Sequence, residues 1–100
     1  MTSEEKENRK NSILNELRSE EGRLDINEIF LSDHRQELAD LRAIRDSSDD
    51  GDLKIYLAQR ISDVKFKIES LENLIRTLKW KIRNLNAVLD ALEALECHDE

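Results

Sequence analysis

From Leu57 to Leu92 apolar side chains recur at alternating steps of four and three: Leu57, Ile61, Val64, Ile68, Leu71, Ile75, Leu78, Ile82, Leu85, Leu89 and Leu92. Only a helix repeating every 3.5 residues keeps such a set on one side over this length. Taking Leu57 as a d position puts isoleucine at most a positions and leucine at most d positions, and no seam position is polar. The ribbon has to be hidden from water by further helices, so the chain is expected to be all-α and to associate.

A chain of 100 residues makes at most one domain and buries only a modest share of its surface alone. Proline is absent, and the two glycines, Gly22 and Gly51, fall where the apolar pattern also breaks. They read as punctuation between three helical segments. The first, residues 1–24, is short, acidic and partly frayed, with Thr2 and Glu5 forming a capping box and Ile13, Leu14 and Leu17 a small apolar patch. The second, residues 25–46, opens on a second capping signature at Asp25 and Glu28 and carries Phe30, Leu38, Leu41 and Ile44 close to one stripe. Residues 47–52 form an acidic turn in which Asp50 or Asp52 caps the third helix. That helix, residues 53–96, carries the heptads, and residues 97–100 are a polar tail.

A short turn between two arms of similar length makes an antiparallel hairpin. Its register brings Ile44 near Ile55, Phe30 near Ile68 or Glu69, and Leu14 near Leu85. Leucines also fall at Leu17, Leu24, Leu31 and Leu38, but the residues three places before them are Leu14, Glu21, Glu28 and Arg35. A stripe so charged is expected to lean on the stronger helix rather than pair with itself. Charge agrees. Residues 1–52 hold 8 Lys/Arg against 15 Asp/Glu, residues 53–83 hold 8 against 3, and residues 84–100 hold none against 5. Acidic arms can therefore neutralise a basic middle. The expected architecture is an elongated antiparallel hairpin with a long C-terminal coiled-coil helix, associating into a dimeric bundle of four or more helices.

Phe66 and Trp80 sit at f positions, on the far side of the long helix from its seam. Either the N-terminal helices cover them in a four-helix dimer, or they form a patch for a protein partner. The turn residues Asp49, Asp50 and Asp52 are further candidates for docking on a basic surface.

Signals for chemistry are weak. Asp46, Ser48, Asp50 and Gly51 occupy the first, third, fifth and sixth places of a calcium loop, but Leu57 stands where a bidentate Glu is needed. Glu96, Cys97, His98 and Asp99 are metal-ligand types that read better as a polar tail, because adjacent Cys and His reach one ion poorly. His34 reads as an ordinary, partly exposed helical residue. No nucleophile with a neighbouring base, glycine-rich phosphate loop or paired-His motif is present, so no catalysis and no cofactor are expected. Gly51-Asp52-Leu53-Lys54 leading into a long helix resembles the hairpin tip of Gre-type transcription factors. That likeness implies a hairpin probing an RNA polymerase channel, with Asp52 at the first of two metal-holding acidic places and Ile55 at the second.

Lys54, Arg60, Lys65, Lys67, Arg76, Lys79, Lys81 and Arg83 could meet phosphate, yet a dense basic helix should precede a DNA-binding zipper and Asp46 to Asp52 precede this one. A single cysteine and a polar N-terminus point to a reducing, cytoplasmic setting without a signal peptide. No apolar run approaches the roughly 20 residues of a bilayer span, so no membrane partner is expected. The leading expectation is a non-enzymatic scaffold, assembly or regulatory adaptor, a homodimer that binds a protein partner. The alternative is a nucleic-acid- or RNA-polymerase-associated regulator.

Overall fold

In the computed structural model, which describes residues 1–97, the chain forms two helices, α1 (Ser3–Ser47) and α2 (Gly51–Glu93). Three residues, Ser48 to Asp50, join them, and the helices pair antiparallel. They do so in two compact units: Ile26–Ile75, which holds the turn, and Met1–Asp25 with Arg76–Glu100.

Of the helix restart or bend expected at residues 22–25, no restart occurs. Helix α1 passes through Gly22, which has no positive φ, and Asp25 and Glu28 lie inside the helix rather than at a cap. The helix does begin where the capping box placed it: Thr2 Oγ1 accepts from the Glu5 N–H at 3.1 Å and donates to Glu5 Oε1 at 3.2 Å. The frayed segment expected over the first ten residues is helical from Ser3.

In the unit Ile26–Ile75 the ribbon residues Leu57, Ile61, Val64, Ile68 and Ile75 are buried and Leu71 is half-buried. Val64 is fully enclosed. Helix α1 meets them with Leu31, buried, and with Asn27, His34, Leu38 and Leu41, half-buried. These residues alternate by four and three, so α1 presents the seventh-residue leucines with the positions three places after them, not three before. Phe30 and Ile44 therefore stand beside the seam, 50% and 49% exposed, instead of in it.

In the unit of Met1–Asp25 and Arg76–Glu100, Leu78 and Leu92 are buried and Ile82, Leu85 and Leu89 half-buried. Leu17 and Glu20 face them buried, with Lys10, Ile13 and Leu24 half-buried at the same alternating spacing. The C-terminal turn of α2 contains no basic residue of its own. A cation comes from α1 instead: Lys6 Nζ donates to the carbonyl oxygen of Glu93, the last residue of α2, at 3.0 Å and to that of Leu95 just beyond it at 3.2 Å. Lys10 adds an ion pair to Glu93 at 3.1 Å, and cations there also suit the negative end of the helix dipole.

Candidate functional site

The turn is built by its own acidic side chains. Asp50 is the cap of α2, its Oδ1 accepting from the backbone N–H of Asp52 at 3.0 Å and of Leu53 at 3.2 Å. Asp52 occupies the first turn, where a carboxylate meets the positive helix end. Ser48 Oγ accepts from the Asp50 N–H at 3.2 Å, and Asp46 pairs with Arg45 at 3.3 Å. Ser48 Oγ and Asp50 Oδ1 are thus engaged in turn and cap geometry, and Asp46 Oδ1 in an ion pair. Asp49, Asp50 and Asp52 are all exposed.

Ion pairs show which basic residues α1 engages. Arg60 reaches Glu37 at 3.1 Å, and Arg35 reaches Glu72 at 3.4 Å. Lys81 reaches Glu20 at 3.0 Å and Glu16 at 3.4 Å. The pairings Glu37 with Arg60 and Glu16 with Lys81 fit the hairpin register expected from the turn. Of the basic strip of α2, Arg60 and Lys81 are thus paired with carboxylates of the acidic neighbour. Arg76 and Lys79 also have partners.

Glu20 is the buried charged residue in the described core. Sequence reasoning passed over it because Gly22 suggested a weak helix there. Its signal was the heptad place three residues after Leu17, opposite the basic middle of α2. The hydrogen bond from Lys81 holds the Glu20 carboxyl below the ordinary carboxylate range, against the opposing effect of burial, with Lys81 and Arg23 adding charge attraction. Hydrogen bonds to Glu20 and Glu16 raise Lys81 above the usual lysine value. At the helix ends the hydrogen bond to Glu93 does the same for Lys10. His34 is drawn into the seam, with Nδ1 3.5 Å from Glu37 Oε2 but without hydrogen-bond geometry.

Surfaces remain after the ribbon is covered. Helix α1 leaves both f-position aromatics in solvent: Phe66 is 71% and Trp80 58% exposed. Around Phe66 lie Arg60, Ser62, Asp63 and Lys67 in a shallow depression. On α1 the neighbours Ile26, Ile29 and Phe30 are each at least half exposed. In the unit that carries both termini, Ile13, Val88, Ala91, Leu92 and Leu95 line an open apolar groove of about 460 Å³.

Among the described residues no cluster of three or more His, Cys, Asp or Glu is arranged to hold a metal. Cys97 is a half-exposed free thiol, while His98 and Asp99, the other members of the C-terminal ligand-type tail, lie outside the described residues. Among the described residues no helix is long and apolar enough to cross a membrane. No protein-family model, curated protein or solved structure matches this chain.

Proposed function

We propose that this chain is a non-enzymatic helical binding module, working as a small scaffold, assembly or regulatory adaptor through stoichiometric contacts in a reducing compartment. The observation that carries the reading is the exposure of Phe66 and Trp80 after α1 has already covered the heptad ribbon. Large aromatics left in water on a rigid helix offer contact area at small entropic cost, and such residues dominate protein interfaces. The acidic tip adds a surface that favours basic partners. Engagement of Arg60 and Lys81 by carboxylates of α1 lowers the charge available for phosphate, which weighs against the nucleic-acid alternative.

The test is comparative co-purification from cells producing the full chain, either wild type or carrying Phe66→Ser and Trp80→Ser. A protein recovered in stoichiometric amount with the wild type should be lost with the double variant, while Ile55→Ser leaves recovery unchanged. Equal recovery with all three would refute the reading. A salt-titrated mobility shift with DNA and RNA runs beside it, and persistent binding at physiological salt would support the regulator instead.

A further inference from the structure

The two flanks of the seam in the unit Ile26–Ile75 are chemically unlike. The Glu37–Arg60 ion pair marks one flank and the Arg35–Glu72 pair the other. With Leu31 and Leu38 as seam positions of α1 and Leu57 and Val64 as seam positions of α2, Glu37 and Arg60 are both g residues. Residues seven places away share their flank: Phe30 and Ile44 on α1, Leu53 on α2. Ile26 and Tyr56 lie one position further out on the same side. These five are 38–63% exposed. The opposite flank of α1 offers Glu28, Ser32, Arg35, Ala39 and Arg42, and that of α2 is polar apart from Ala58 and Ile55. An isolated hairpin has no use for such a difference, since one seam hides one stripe of each helix.

We propose that this flank docks a second copy of the same chain, with the two turns at the same end. This rests on the reading that the exposed apolar side chains are contact surface. Charge selects the occupant and its direction. Between the apolar positions α1 carries Asp33, Glu37 and Asp40, whereas α2 carries Arg60 and Lys67 with Asp63. A two-fold axis along the helices sets α1 of each copy against α2 of the other at the same level. Ile44 then meets Leu53, Lys67 comes to the level of Asp33, and the Glu37–Arg60 pairs of the two copies lie side by side with unlike charges opposed. A two-fold axis across the helices would instead stack carboxylate on carboxylate, with Glu37 facing its own copy. Like charges at close range disfavour that arrangement. A face on two short helix segments falls at the low end of specific interfaces, which bury roughly 1,200–2,000 Å² in total, so the dimer should dissociate on dilution.

Light scattering of the full chain across micromolar concentrations should show mass rising from 11.7 kDa towards twice that value. Phe30→Glu with Tyr56→Glu, both at positions outside the seam, should keep the far-UV helical signal and weaken association at least tenfold, while Ile55→Glu, on the opposite flank, leaves it unchanged. Asp49→Cys in a Cys97→Ser background should be joined between copies by a short bis-maleimide, because both turns lie at one end. A mass that stays monomeric, full association by the Phe30 and Tyr56 variant, or a dimer whose turns fail to crosslink would each overturn the proposal. A monomer that still captures a protein through Phe66 and Trp80 removes self-docking alone. A dimer indifferent to those two residues in co-purification removes the adaptor reading alone.

Discussion

Replacing Gly22 by alanine should raise the stability of this protein. Gly22 lies in the interior of a continuous helix, exposed, with ordinary helical backbone. A β-carbon built on it meets nothing within 4 Å. The substitution therefore adds no clash and removes no contact, leaving only backbone entropy. Glycine costs about 0.8–1.0 kcal/mol relative to alanine in a helix interior, mostly because its unfolded chain has more freedom to lose. In a domain of 60–100 residues about 1 kcal/mol moves the melting temperature by roughly 4–8 °C. Thermal unfolding followed by circular dichroism, at one fixed protein concentration so that self-association does not enter, should show a rise of that size. An unchanged or lower Tm for Gly22→Ala would mean that the chain bends at this glycine in a conformation alanine resists, and the continuous α1 would be wrong.

Three other outcomes follow from the packing and the caps. Val64→Ala empties a fully enclosed side chain, and chemical denaturation should show a loss of about 2 kcal/mol, whereas Ile55→Ala, at a position 70% exposed, should change little. Asp50→Ala removes the cap of α2 and should cost about 1 kcal/mol in the same assay. Because the fold lowers the Glu20 pKa, Glu20 contributes stability above its unfolded pKa and loses it as pH falls through the lower folded value. Because the fold raises Lys81, its contribution is whole below about 10.5 and is lost as pH rises through the higher folded value. Denaturation midpoints against pH should thus be level near neutrality and fall at both limits, and Glu20→Gln should flatten the acid limb.

The ribbon of α2 was legible because isoleucine, leucine and valine fill every seam position, so no competing face exists to choose. The turn was equally plain, since Ser, Asp and Gly offer the side-chain acceptors and permissive backbone that a tight connection uses. Helix α1 was harder for a physical reason. Its seam is mixed, leucine every seventh place alternating with Glu20, Asn27 and His34 before reaching Leu41. Hydrophobicity alone pulled the reading towards Phe30 and Ile44, which the structure places on the flank. What decides the true face is the partner: packing against a wholly apolar ribbon lets α1 keep polar residues on the seam, where their outer atoms reach charges at its edge. Glu20 shows this most clearly, since Lys81 reaches it from α2. Gly22 misled for a related reason. A penalty of about 1 kcal/mol is smaller than the roughly 1.5–3 kcal/mol gained by fully burying one leucine, and Leu17 and Leu24 flank it on the packed side.

The inequality of the two helices also bears on how α2 takes α1 of its own chain as a packing partner. Isoleucine at a with leucine at d is a good parallel dimer seam, and α1, with carboxylate, amide and imidazole in its own, is a poorer match by packing alone. Yet α1 is joined to α2 by three residues, and a short tether holds a partner at an effective concentration of order millimolar or above, far beyond what a free copy supplies. Charge adds direction. Glu16, Glu20 and Glu37 meet Lys81 and Arg60 across the hairpin, while an α2 pair in parallel register would set one repelling pair, Arg60 with Lys65, against one attracting pair, Lys67 with Glu72. The polar seam residues of α1 thus cost some packing and would place Glu20, Asn27 and His34 opposite their own copies in an α1 pair in parallel register. With the ribbon packed on α1 within the chain, the apolar side chains that α1 leaves exposed include the flank of Phe30, Ile44, Leu53 and Tyr56 and the outward aromatics Phe66 and Trp80.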